Sequence, residues 1–282
     1  MISTKKRNVK QQSEQQMLLS ANMTSSLVSN TSSCIRIFSL LLCLLFPLSV
    51  QAESFDWKLW NHMLRQYMHT ETVASIQAEL IDYRALKQDP DFYRIASALK
   101  SYDPSGLDNN DRKAFYINSY NYFAAKLVVE HWPVQSIQDI GIFFWPVWKR
   151  TAGYINGQKI TLKQIEHTIL RPMGDPRIHF AINCASLSCP DLRNEAYEAQ
   201  RLDAQLDEQS KRFVHNLGKG VQSHGGKLRV SAIFDWYEED FTAMGGVVAF
   251  IRQYRELPSP ITNIEYMPYN WHLNATNTRL EK

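Results

Sequence analysis

Apolar side chains return every three or four positions along most of this chain, the period of helices that bury one face. Phe55, Trp57, Trp60, Leu64 and Tyr67 predict an amphipathic helix over 55–68. Shorter helical patterns follow at 73–86 and 91–99, and a loop rich in Pro, Gly and Asx occupies 103–110. The strongest pattern covers 111–132, where Ala114, Ile117, Tyr120, Ala124, Leu127 and Val128 make a buried stripe and Pro133 stops the helix. Thr161 and Gln164 form a capping-box signature opening a further helix, with Leu162, Ile165 and Ile169 inward and Pro172 past its end. Stretches 196–217 and 247–254 complete the helical set.

Alternation with period two is rarer. Residues 154–160, with Asn156-Gly157 at their centre, predict a hairpin, and 227–231 a short strand. Ile178, Phe180 and Ile182 alternate with His179, Ala181 and Asn183, which predicts a half-buried strand with His179 and Asn183 on one face. That pleat would put Cys184 on the other face. A His179/Cys184 pair therefore requires the strand to end at Asn183 and open a helical turn, whose dipole would favour a thiolate. The aromatic run 143–148 is expected to pack in the core, with a pocket wall as the alternative, and the tail 266–274 to pack back as an ordered strap. Together these elements predict one α+β domain over 53–282, helix-rich and packed around a small, mainly antiparallel sheet, with no internal repeat.

Residues 1–52 stand apart. Lys5, Lys6, Arg7 and Lys10 precede a polar run and then a nearly unbroken apolar stretch from Ile35 to Val50, with small residues around Ala52. This predicts a secretory signal cleaved near Ala52 and a periplasmic or secreted domain without a stable membrane anchor; an uncleaved anchor is the alternative, and Met17 or Met23 are alternative starts. The leader holds five cationic side chains against Glu14, so the +3 of the whole chain becomes −1 from residue 53 onward. No clustered basic face is left for nucleic acid. Of the 4 cysteines, Cys34 and Cys43 fall in the leader, leaving Cys184 and Cys189.

Those two cysteines define the candidate chemistry. One reading is a thiol-dependent hydrolase or acyltransferase: Cys184 as nucleophile, His179 or His167 as base, Glu166 beside His167, and Asn118, Asn121 or Asn183 orienting the histidine or donating to an oxyanion. Asn118 and Asn121 share a helix side, where amides commonly tie down backbone. The other reading is a binding module with a Cys184–Cys189 disulfide, its aromatic loops around Phe144 and Trp236 recognising a small molecule, a peptide or a protein partner. A zinc site from Cys184, Cys189, His167 and His179 lacks a recognised histidine spacing, thiol–disulfide exchange lacks the CxxC spacing, and no cofactor motif is present. Asp235 and Asp240 could be acids or metal ligands, but are expected to be caps or surface charge.

At several of these residues the chain resembles a known family. The stretches 114–121, 165–167, 177–184, Ser188-Cys189-Pro190, 231–237 with Asp240-Phe241, and 269–274 resemble the motifs of the family catalogued as domain of unknown function number 547, over roughly 80–274. The family has no established activity, so the resemblance implies positions and not a reaction. Asn118, Asn121, Glu166, His167, His179, Asn183, Cys184, Ser188, Cys189 and Asp240 fall on its motif positions. Plant members carry the cysteine pair outside an exported context and follow a coiled coil, which implies more than a structural disulfide and suits an interaction role. Tyr116 and Asn270 stand where tryptophan and aspartate are usual.

Overall fold

The computed structural model describes residues 53–276. The leader, with Cys34 and Cys43, lies outside the described residues. The first helix, α1 (Lys58–Tyr67), buries Trp60, Met63 and Leu64. It is followed by a hairpin, β1 (Met68–Val73) and β2 (Ile76–Ile81), where helix was expected. Ala74 and Ser75 close that hairpin with φ of 49° and 66°, a turn without the Asn-Gly signal that marks such sites in a sequence. Helices α2 (Tyr83–Gln88) and α3 (Pro90–Ser101) come next, capped by Asp82 and Asp89.

The fold is built on α4 (Asn109–His131), capped by Asp108 and buried on every side. A helix enclosed all round needs polar residues only where something must be held, and α4 buries Asn118, Ser119 and Asn121 among its apolar side chains. The expected second hairpin is β3 (Thr151–Ile155) and β4 (Gln158–Thr161), turned by Asn156 and Gly157 with positive φ. It reaches α4 through Gly153, where a side chain would stand 2.1 Å from the Phe123 ring. Helix α5 (Leu202–His215) is shorter than its pattern suggested.

The chain ends with β5 (Val221–His224), β6 (Lys227–Val230), α6 (Ile233–Trp236), a 3-10 helix (Glu238–Met244), α7 (Val247–Tyr254) and β7 (Asn263–Tyr266). The order β5-β6-β7 pairs β5 and β6 antiparallel and β6 and β7 parallel. The architecture is α+β. Its strands, expected in one small sheet, are divided among two hairpins and this three-stranded sheet.

Three expectations fail locally. Residues 178–183 are not a strand. Asp175 caps the backbone N–H of Arg177 and Pro176 starts a 3-10 helix (Pro176–Phe180), in which Ile178, His179 and Phe180 are all buried, so the alternation of residue types was no record of one wet face. Cys184 does not open a helical turn; it sits in irregular chain beyond Ala181. Only the second half of the aromatic run packs: Phe143, Phe144 and Trp145 are exposed, Phe143 by 93%, while Val147 is buried in the core and Trp148 packs against it and lines a cavity, the alternative expected for this run. The tail does pack back, with Leu273 buried and Leu187 N–H donating to the His272 carbonyl.

Two apolar clusters meet at the new 3-10 helix. Ile178 belongs to the larger one around α4, and Phe180 to the one around Phe234, Phe241 and Phe250. His179 lies between them.

Candidate active site

Sequence-local chemistry fixes each wall of this site. Downstream of the reciprocal Thr161/Gln164 bonds (2.9 and 3.0 Å) runs a π-helix (Gln164–Leu170), which places Glu166 inward and His167 beside it. Pro172, lacking an N–H, cannot continue the helical ladder, and such π turns recur at functional sites. The 3-10 helix carrying His179 is pinned by Arg177, which bonds Asp175 (3.0 Å), Asp203 (2.8 Å) and Asp207 (2.9 Å) on α5, and by Lys113 of α4 on Asp175 (3.0 Å).

The asparagines hold backbone. Asn121 donates Nδ2 to the Ala181 carbonyl (3.0 Å) and accepts at Oδ1 from the Asn183 N–H (2.7 Å). Asn118 does the same for Tyr197, at 2.9 and 2.8 Å, away from the other candidates. Asn183 accepts from the Ala185 N–H (2.8 Å) and donates to the Pro190 carbonyl (2.6 Å), closing the loop that carries both cysteines. Within it Ala185 is held at φ 56°, strain of a kind found where a loop is over-determined. Ser188 Oγ accepts from the Asn270 N–H (2.9 Å), tying the loop to the tail.

Inside a cavity of about 450 Å³ lie Tyr120, Glu166, His167, His179, Cys184 and Cys189, together with Tyr237 and Tyr269. His179 is 3% exposed and stacks on Tyr237, ring centroids 3.9 Å apart. Its Nε2 lies 2.7 Å from Asp240 Oδ2, while its Nδ1 is buried without a hydrogen-bond partner. A carboxylate needs a donor, so Nε2 carries a hydrogen, and in the neutral tautomer that leaves Nδ1 as the acceptor nitrogen. Asp240 is held in turn by Arg171, at 2.7 and 2.8 Å. Hydrogen bonds from His179 and then Arg171 hold the Asp240 carboxyl well below the usual carboxylate range.

Glu166 is buried and accepts from the hydroxyls of Tyr237 and Tyr120. Burial first, then the Glu166 charge, pushes both phenols up, so they stay protonated donors. His167 is more open: Arg171 Nη1 donates to its Nδ1 (3.0 Å), and its Nε2 is 4.0 Å from Glu166. Burial lowers its pKa, and the positive charges of Arg171 and Lys163 act with burial against the opposing pull of Glu166, which keeps the ring neutral near pH 7.

Cys184 and Cys189 are paired as a disulfide, with Cα atoms 6.0 Å apart. Cys184 Sγ lies 3.2 Å from the Tyr269 hydroxyl and 3.3 Å from Ser186 Oγ. An aromatic rim of Trp148, Trp236, Trp271 and Tyr269 surrounds the cavity, Trp236 and Trp271 stacked at 5.8 Å, with Lys149 and Lys163 at its edge. Among the described residues no group of three or more His, Cys, Asp or Glu side chains is arranged to hold a metal ion.

Thus His167, His179, Glu166 and Cys184 converge, Asp240 joins them through His179, and Asn118 stands apart. Tyr120, Arg171, Tyr237 and Tyr269 were not singled out from the sequence. Tyr237 stands three residues before Asp240, the spacing of one 3-10 turn, and that was the available signal.

No curated protein and no solved structure matches the chain. Residues 104–214 match the family described as Protein of unknown function, DUF547, a stretch that takes in the Asn118, Glu166–His167 and His179–Cys189 motifs and ends before Asp240. The resemblance read from the motifs is therefore a family match over residues 104–214.

Proposed function

We propose that the reduced protein is a thiol-dependent hydrolase or acyltransferase with Cys184 as nucleophile and His179 as its base. One observation carries this reading: Asp240 occupies Nε2 of His179 and leaves Nδ1 buried without a partner, on a ring that lines the same cavity as Cys184. A third group orienting the base toward the nucleophile is the arrangement acyl transfer uses.

The chemistry would begin with a dithiol giving two electrons to the Cys184–Cys189 bond, the donor becoming a disulfide and both cysteines free. Cys184 then passes its proton to His179 Nδ1, and its thiolate attacks an acyl carbon, forming a C–S bond. As the carbonyl reforms, the bond to the leaving group breaks and Nδ1–H protonates that group. Water or an acceptor gives its proton to Nδ1, attacks the thioester and releases Cys184. Tyr269, whose phenol is kept protonated chiefly by burial, is placed beside Sγ to donate to the oxyanion. The polar front and apolar run of residues 1–52 support an exported site of action.

The disulfide favours a second reading, a non-enzymatic binding module in which Cys184–Cys189 braces the loop under the aromatic rim. Incubating the full chain with a p-nitrophenyl ester and a small thioester, with and without prior reduction, separates the two. The enzyme reading expects a burst of one acyl group per chain after reduction, mapped by mass to Cys184 and absent in Cys184→Ser. Reduced protein that releases no product and carries no acyl mass leaves the binding module.

A further inference from the structure

Beside the cavity mouth the chain displays an apolar tip that the site does not use. Ile142 and Trp145 exchange backbone hydrogen bonds (3.1 and 2.8 Å), and the turn between them holds Phe143 and Phe144, exposed by 93% and 83%, with Ile142 and Trp145 exposed by 65% and 54%. The two Phe rings touch only edge to face, centroids 5.0 Å apart. The root of the tip is fixed: Ile137, Ile140 and Val147 are buried in the core, and a side chain on Gly141 would stand 2.7 Å from the Val147 nitrogen. Four consecutive apolar side chains on a rigid projection mark an interaction surface.

From this geometry we infer that the Ile142–Trp145 tip inserts into the headgroup region of an anionic phospholipid bilayer. The tip is a convex turn that satisfies its own Ile142 and Trp145 backbone groups, as a segment leaving water must. Trp145 stands at its base, and tryptophan favours the depth between headgroups and acyl chains. Behind it Lys149, Arg150 and Lys163 form no ion pair among the described residues, which leaves three cations for lipid phosphates. Lys149 and Lys163 also edge the cavity, together with Pro146, which directly follows the tip, so the cavity mouth would open at the bilayer surface. Among the described residues no helix is long and apolar enough to cross a membrane, so the contact is interfacial.

The test uses the full chain and vesicles of phosphatidylcholine with and without phosphatidylglycerol, containing brominated acyl chains that quench a tryptophan on contact. Trp145-specific quenching is the difference between wild type and Trp145→Phe, a readout local to the tip whatever else in the chain meets lipid. It is expected with the anionic vesicles, and Phe143→Ser/Phe144→Ser, with an unchanged Tm because both rings are exposed, raises the lipid concentration for half quenching on the order of a hundredfold. No Trp145-specific quenching, or equal quenching in the double variant, overturns the inference. Self-association that the double variant abolishes, without quenching, overturns it in favour of a protein partner.

Discussion

Replacing Asn121 by alanine would separate holding the site from performing its chemistry. The Asn121 amide is 4% exposed and meets two backbone groups of the next layer, the Ala181 carbonyl and the Asn183 N–H. Alanine leaves both buried with no partner and a gap too small to solvate them well. A buried polar group left unmatched costs about 1–3 kcal/mol, so the pair costs roughly 2–6 kcal/mol. For a domain of this size each kcal/mol shifts Tm by about 2–4 °C, which puts the fall between about 4 and 24 °C. The assay is thermal unfolding followed by circular dichroism, run beside alkylation of reduced protein at 25 °C. Because Asn121 holds the segment between His179 and Cys184, the variant is expected to lose stability while its folded fraction keeps the pH dependence of Cys184 alkylation. A Tm within about 1 °C of wild type would refute the clamp argument; unchanged stability with an altered alkylation profile would return Asn121 to the chemistry.

Other consequences follow from the same contacts. Asp240→Asn weakens bonds to both His179 and Arg171; with the carboxylate about one-fifth exposed, the stability loss is about 1–3 kcal/mol by urea unfolding, and Cys184 alkylation slows. Since the Asp240 carboxyl is held below its ordinary range, its contribution is complete above the unfolded-state carboxylate pKa and disappears as pH falls through the folded one; wild type should lose more stability on acidification than Asp240→Asn, measured as Tm from pH 6 downward. Gly153→Ala drives a methyl group against Phe123, which is fully buried and cannot yield, so stability falls by about 1–3 kcal/mol in the same urea titration.

The helical elements were legible in the sequence wherever a period of 3.6 coincided with a cap or a stop. α4 had its stripe, its Asx-rich entry and Pro133; the Thr161/Gln164 pair announced the turn that carries Glu166 and His167. The failures have physical causes. A 3-10 helix buried on both sides has no wet face, so the alternation at 178–183 reflected residue types alone, and Pro176 after Asp175 was the better signal. The β1–β2 hairpin turns on Ala74-Ser75, residues that seldom take positive φ. Aromatic side chains imply burial on average, yet at 142–145 the turn's own backbone bonds point them outward. Glu166, His167, His179 and Cys184 could be picked from the sequence one by one, whereas Tyr120, Arg171, Tyr237 and Tyr269 were not, and their arrangement was out of reach because Asp240 is brought to His179 from 61 residues away. Nothing local to either residue records that pairing.

The reactivity of Cys184 once the disulfide is open separates an enzyme from a binding module. The most direct measurement is the pH–rate profile for alkylation of Cys184 by iodoacetamide in reduced protein, mapped by peptide mass, for wild type and His179→Ala. Wild-type alkylation is expected to persist well below the ordinary thiol pKa of about 8.5, and the variant to return to it. Two superimposable profiles, both with a midpoint of about 8.5, would contradict activation of Cys184 by His179.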